Sequence, residues 1–172
     1  MKTSKNQNHH NQTTINIKQE FFEKAKNGDN SILNYPLVDS IYDEDKNTPL
    51  HYLAKYGVIE VLKHKSASKV KNYLDNTPLH YLAMKGVKEV LDHPYVDKVK
   101  NVNGVTPLFY YLVYGNFEEI IKHPLVDELR DYDGNTPLHY LAENGKNILK
   151  HPSAKFKFNR YRKTPADILK TA

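Results

Sequence analysis

A chain of 172 residues that is 39% apolar, 26% charged and free of cysteine can bury a core, but it can form neither a disulfide framework nor a thiolate metal site. Its formal charge is +5, yet from Gly145 onward eight cations stand against the single carboxylate Asp167, so the basic character belongs to the C-terminal end and the rest is weakly acidic. No stretch has the apolar length of a secretory leader or a bilayer span, which predicts a protein working in the cytoplasm or in a host cytosol with no membrane partner; a monomer is expected.

In chain order, residues 1–16 are Asn, Gln, Thr, Lys and His with almost nothing apolar, the composition of a disordered polar tail. His9 and His10 are adjacent there but lack the ordered shell that a metal site needs. A single domain is predicted over 17–172, opening with a cap over 17–43 in which Phe21, Phe22 and Ala25 share one helical face and Gly28 ends the helix.

From Asn47 the chain reads "NTPLHYLAKYG", from Asn76 "NTPLHYLAMKG", from Val105 "VTPLFYYLVYG" and from Gly134 "GNTPLHYLAENG", and a weaker copy, "KTPADILKTA", starts at Lys163. The threonines at 48, 77, 106, 136 and 164 give periods of 29, 29, 30 and 28 residues, the mark of an array of like units. Units are expected to start near 43, 72, 101 and 131, with a truncated cap over 159–172. Each threonine is an N-cap and each proline a first helical residue, which lacks the donor that would go unpaired there. Leu50, Leu53 and Ala54, spaced i, i+3 and i+4, make a buried stripe that recurs in the later copies, and Gly57, Gly86, Gly115 and Gly145 stop the helices. Outer helices of about two turns follow, closed by His93-Pro94, His123-Pro124 and His151-Pro152; a histidine in that place suits the last carbonyls.

Catalytic signatures are absent: there is no phosphate-binding glycine loop, no H-E-x-x-H and no G-x-S-x-G, so neither a catalytic residue nor a cofactor is predicted. The histidine series His51, His80 and His139 is no metal site either. Stacked helices lie about 8–10 Å apart, whereas nitrogens sharing a zinc must each sit about 2.0–2.1 Å from it. "KFKFNRYRK", Lys155 to Lys163, alternates cations with rings and so could hold phosphates and bases; the expected alternative is that its rings pack on the preceding unit.

The copies starting at Thr48, Thr77 and Thr136 resemble the ankyrin repeat, whose T-P-L-H-x-A signature recurs at a period of about 33 residues. The resemblance covers roughly residues 18–172, with units about four residues shorter than usual. It implies an all-α solenoid of stacked helix-turn-helix units joined by β-turn fingers, in which His51, His80 and His139 tie neighbouring units together. It also implies a non-catalytic module that binds a protein partner on its concave face, with Tyr56, Tyr73, Leu74, Met84, Val102, Val105, Val113, Tyr114, Tyr132 and Asn135 as the partner-binding set. Two other readings stand beside it: a nucleic-acid or anionic-surface binder acting through the basic C-terminal end, and an inhibitor or adaptor acting on a host or cellular enzyme.

Overall fold

The computed structural model describes residues 16–171, so the predicted tail, His9 and His10 included, lies outside the described residues except at position 16. Among the described residues the regular structure is helical, with no strand. The α-helices are α1 (16–26), α2 (Pro49–Lys55), α3 (Pro78–Met84), α4 (Pro107–Tyr114), α5 (Phe117–Ile120), α6 (Pro137–Glu143) and α7 (Pro165–Leu169). No helix among them is long and apolar enough to cross a membrane.

Helices α2, α3, α4, α6 and α7 begin as the Thr-Pro pairs predict, with an extended threonine at the N-cap and proline at the first turn. Their inward residues Leu50, Leu53, Leu79, Leu82, Leu112 and Leu138 are fully buried, each stabilising the fold by about 1.5–3 kcal/mol. One continuous core runs from Phe21 to Ala154. Gly57, Gly86 and Gly145 end their helices at φ of 81°, 72° and 69°, the left-handed conformation that a side chain opposes. Gly115 departs from this pattern with φ −73°, because α4 runs one residue longer and leaves in an extended conformation.

The outer segments are shorter than two turns. Ile59–Lys63 and Lys88–Asp92 are five-residue 3₁₀ stretches, and α5 has four residues. His64, His93, His123 and His151 explain the abrupt end, though not by meeting the last carbonyls. Each turns its Nδ1 forward to accept the backbone N–H two residues on, from Ser66, Tyr95, Leu125 and Ser153 at 3.2–3.3 Å, and so starts the next turn.

Candidate binding surface

Between units the chain makes a tight turn around one polar side chain. Asn72 Oδ1 accepts the N–H groups of Leu74 and Asn76, both at 3.0 Å, and Asp43, Asn101, Asp131 and Asn159 do the same for the residues two and four further on. The third residue after this acceptor always has a positive φ: Lys46 59°, Asp75 57°, Gly104 76°, Gly134 75° and Arg162 60°. Successive turns then join edge to edge. The N–H groups of Tyr73, Val102, Tyr132 and Arg160 donate to the carbonyls of Asp45, Leu74, Asn103 and Asp133 at 2.9–3.0 Å, leaving the side chains at the tips free of the core.

Histidines bridge the units below the turns. His51 Nδ1 accepts the backbone N–H of Thr48 at 3.0 Å, which leaves the ring proton on Nε2, and Nε2 donates to the Asn76 carbonyl at 3.0 Å. His80 bridges Thr77 to the Val105 carbonyl in the same way, and His139 bridges Thr136 to that of Lys163. Burial pulls His51 and His80 from 6.5 down to about 4 and lowers His139 as well, so all three rings are neutral near pH 7. Their nitrogens are used up in tying one unit to the next.

An amide ladder runs alongside. Asn72, Asn101 and Asn159 donate through Nδ2 to the Oδ1 of Asn47, Asn76 and Asn135 at 2.8–3.0 Å. The ladder skips the junction between the third and fourth units, where Val105 offers no acceptor and Asp131 no donor. Phe109 replaces the histidine there, and Val105, Phe109 and Val113 form a small apolar cluster of their own.

This cluster corrects two predicted partner-binding residues. Val105 is only 2% exposed and Val113 only 5%, so both are core residues. In α4 the position that carries Lys55 or Met84 elsewhere turns inward to fill the space around Phe109. Asn135 is half-buried and its amide is occupied, donating to Asp131 at 3.0 Å and accepting from Asn159 at 2.8 Å. The other members, Tyr56, Tyr73, Leu74, Met84, Val102, Tyr114 and Tyr132, are all exposed, Tyr132 by 66%.

The exposed set occupies two rows, the turn tips and the C-terminal ends of the main helices. Val102 and Tyr132 from the tips share a recess with Tyr140 of α6, and half-buried Tyr52, Tyr81, Tyr110 and Tyr140 fasten the rows together by bonding to Asp43, Asn72, Asn101 and Asp131 at 2.7–3.2 Å. Both phenols on carboxylates, Tyr52 and Tyr140, are held protonated: burial and the Asp43 carboxylate push Tyr52 up to about 12, and burial with Asp131 raises Tyr140. Along the tips the charge runs from Glu44 and Asp45 to Arg160 and Arg162, while the helix ends carry Lys26, Lys55, Lys85, Glu143 and Lys170 with no such trend. Between these ends tyrosine, leucine, methionine and valine are interspersed with Asp75, Lys85, Asn103 and Asp133.

The rings of "KFKFNRYRK" do not pack on the preceding unit as expected. Phe156 is 74% exposed and Phe158 55%, and Tyr161, a turn-tip residue matching Leu74 in position, is exposed too. That alignment was the sequence signal for Tyr161, available once the turns were put in register. Among the described residues no group of three or more His, Asp or Glu is placed to hold a metal ion.

No family model matches the chain, and no curated protein matches it. Among solved structures, a similar chain comes from a complex of a predatory endopeptidase from Bdellovibrio bacteriovorus with an immunity protein. It is 22% identical, the match covers 88% of this chain and 91% of that one, and the TM-score is 0.61. The likeness is one of fold.

Proposed function

We propose that this chain is a non-catalytic ankyrin-type solenoid that acts as an inhibitor or adaptor by binding a protein partner with the surface between its turn tips and helix ends. One observation carries the reading: seven exposed apolar and tyrosine side chains, from Tyr56 to Tyr132, stand on the two rows. Tyrosine and methionine are favoured in interface cores, and the charged ends supply a polar rim. The charge gradient along the tips, acidic at Glu44 and Asp45 and basic at Arg160 and Arg162, sets the orientation in which a partner docks. The solved complex of similar fold, which joins an endopeptidase to an immunity protein, supports the inhibitor or adaptor reading over that of a passive scaffold.

The test is affinity capture from the native lysate, followed by titration of the purified partner against the parent chain and the Tyr73→Ala, Tyr132→Ala double variant. The double variant should bind at least about 2 kcal/mol more weakly, the scale of an interface hot spot, at unchanged melting temperature. Undiminished binding would reject this surface. An assay of the captured partner's own activity with and without the chain then separates inhibition from recruitment.

A further inference from the structure

We propose that the C-terminal end carries a second site, one that takes single-stranded nucleic acid. Three structural observations converge on it. Phe156, Phe158 and Tyr161 present their rings to solvent. Cations lie between and beside them, and of these Lys155, Arg162 and Lys163 form no ion pair within the described residues. Phe158 also lines a recess of about 460 Å³ with Leu149, Ala166, Lys155 and Lys170.

The chemistry these groups share is a flat apolar face next to positive charge. A stacked base satisfies the ring and its phosphate satisfies the lysine, and the pairing tolerates any sequence because every base has a π-face. The recess falls in the size range of small-ligand pockets, about 300–1,000 Å³, with apolar walls for a base and the Lys155 ammonium, unpaired among the described residues, for a phosphate. Its one carboxylate, Asp167, is taken up in capping α7, accepting from the Thr164 hydroxyl at 2.7 Å and N–H at 3.1 Å, and lies 3.9 Å from the Lys170 ammonium, so the cation left for a phosphate is Lys155. Tyr161 already carries the Arg160 guanidinium 4.8 Å from its ring centre, while Asp133 holds that guanidinium at 2.6 Å, so the cation is positioned beforehand.

Single strands fit better than the other polyanions. A duplex hides its base faces and would leave the rings unused. A bilayer takes up rings from a continuous apolar face, whereas here the exposed cations Lys155, Arg160 and Arg162 adjoin the three rings.

The experiment measures the anisotropy of a fluorescein-labelled oligothymidylate titrated with the full chain over a salt series. Binding should weaken steeply with salt because phosphate contacts release counterions. Phe156→Ala with Phe158→Ala should weaken it by about tenfold or more at unchanged melting temperature, since both rings lie outside the core. Lys155→Gln with Arg162→Gln should flatten the salt dependence. The proposal is overturned if the oligothymidylate does not bind, if the ring variant binds as well as the parent, if the duplex form binds as tightly as the single strand, or if phosphatidylserine vesicles compete better than unlabelled oligothymidylate.

Discussion

Phe109 meets Tyr140 edge to face with ring centres 5.3 Å apart, in the slot where His51 meets Tyr81 at 6.0 Å and His80 meets Tyr110 at 5.9 Å. The third unit therefore keeps the ring contact of its neighbours and gives up the polar bridge, since a phenyl ring cannot reach the carbonyl of Asn135 with a donor. The opening junction is built the same way, Phe22 on Tyr52 at 5.7 Å. Ring on ring recurs at the first four junctions, whereas at the last α7 offers Ile168 in the tyrosine position and the His139 bridge stands without it.

That bridge has a measurable worth. Replacing His139 by alanine leaves the Thr136 N–H and the Lys163 carbonyl without their partner, a loss of about 1–3 kcal/mol. Chemical denaturation should show it as a lower midpoint at unchanged slope. Zinc should leave the melting temperature of the parent unmoved, because the ring nitrogens are already engaged.

Acid should unfasten all the bridges together. The unfolded histidines titrate near 6.5, whereas folded His51 and His80 stay neutral down to about 4. Above 6.5 both states are neutral and stability is at its full value. As pH falls from 6.5 toward 4 the unfolded chain takes up protons that the folded chain refuses, and stability declines by up to about 3 kcal/mol for each of these rings. A proton on Nδ1 would also face the donor N–H of the threonine. Denaturation midpoints at pH 7.5 and pH 5 compare the two conditions, and equal midpoints would contradict the buried, neutral assignment.

The missing rung of the amide ladder can be rebuilt. Val105→Asn alone places an amide in an apolar cluster, and Asp131→Asn alone removes the carboxylate oxygen that accepts from the Asn135 amide, so each should destabilise. Together they recreate the pair that Asn76 and Asn101 form at 3.0 Å. A double-mutant cycle should return a favourable coupling of about 1 kcal/mol, and a coupling of zero would mean that this junction cannot adopt the geometry of the others.

Val113 and Tyr114 are neighbours with opposite fates. Val113→Asp puts a charge without a partner into the cluster around Phe109 and should cost about 3–5 kcal/mol, more than the 2–5 kcal/mol range of a core deletion such as Leu112→Ala at its lower end. Tyr114→Ala, at an exposed ring, should leave the melting temperature nearly where it was and act on partner binding alone. Thermal melts of the three variants order them directly.

These two residues also mark where sequence reading stops. The helix starts, the buried stripe and most of the glycine stops were legible because each rests on local chemistry: a threonine that caps, a proline without a donor, leucines at helical spacing. Val113 was misread because its environment is set by Phe109 across a junction, and no local rule says that a missing histidine pulls a later side chain inward. The outer segments were read as longer than they are because the forward-turning His64 and His93 can only be seen once Nδ1 has a direction. Lys46, Asp75 and Arg162 hid the left-handed turn position that Gly104 and Gly134 advertise, and Phe156 and Phe158 were assigned to packing that the fold does not provide.

The apolar joint around Phe109 has a thermal consequence. Hydrophobic attachment weakens on cooling, while the imidazole and amide bridges of the other junctions do not share that dependence. The molecule is thus held unevenly in the cold: chilled, the junction between its third and fourth units keeps the turn bond from Tyr132 to Asn103 but leans more than the others on the contact whose strength is fading. Near-freezing hydrogen exchange should find the amides on either side of Val105, Phe109 and Val113 opening before those beside His51 and His80, the reverse of what fraying from the chain ends would give.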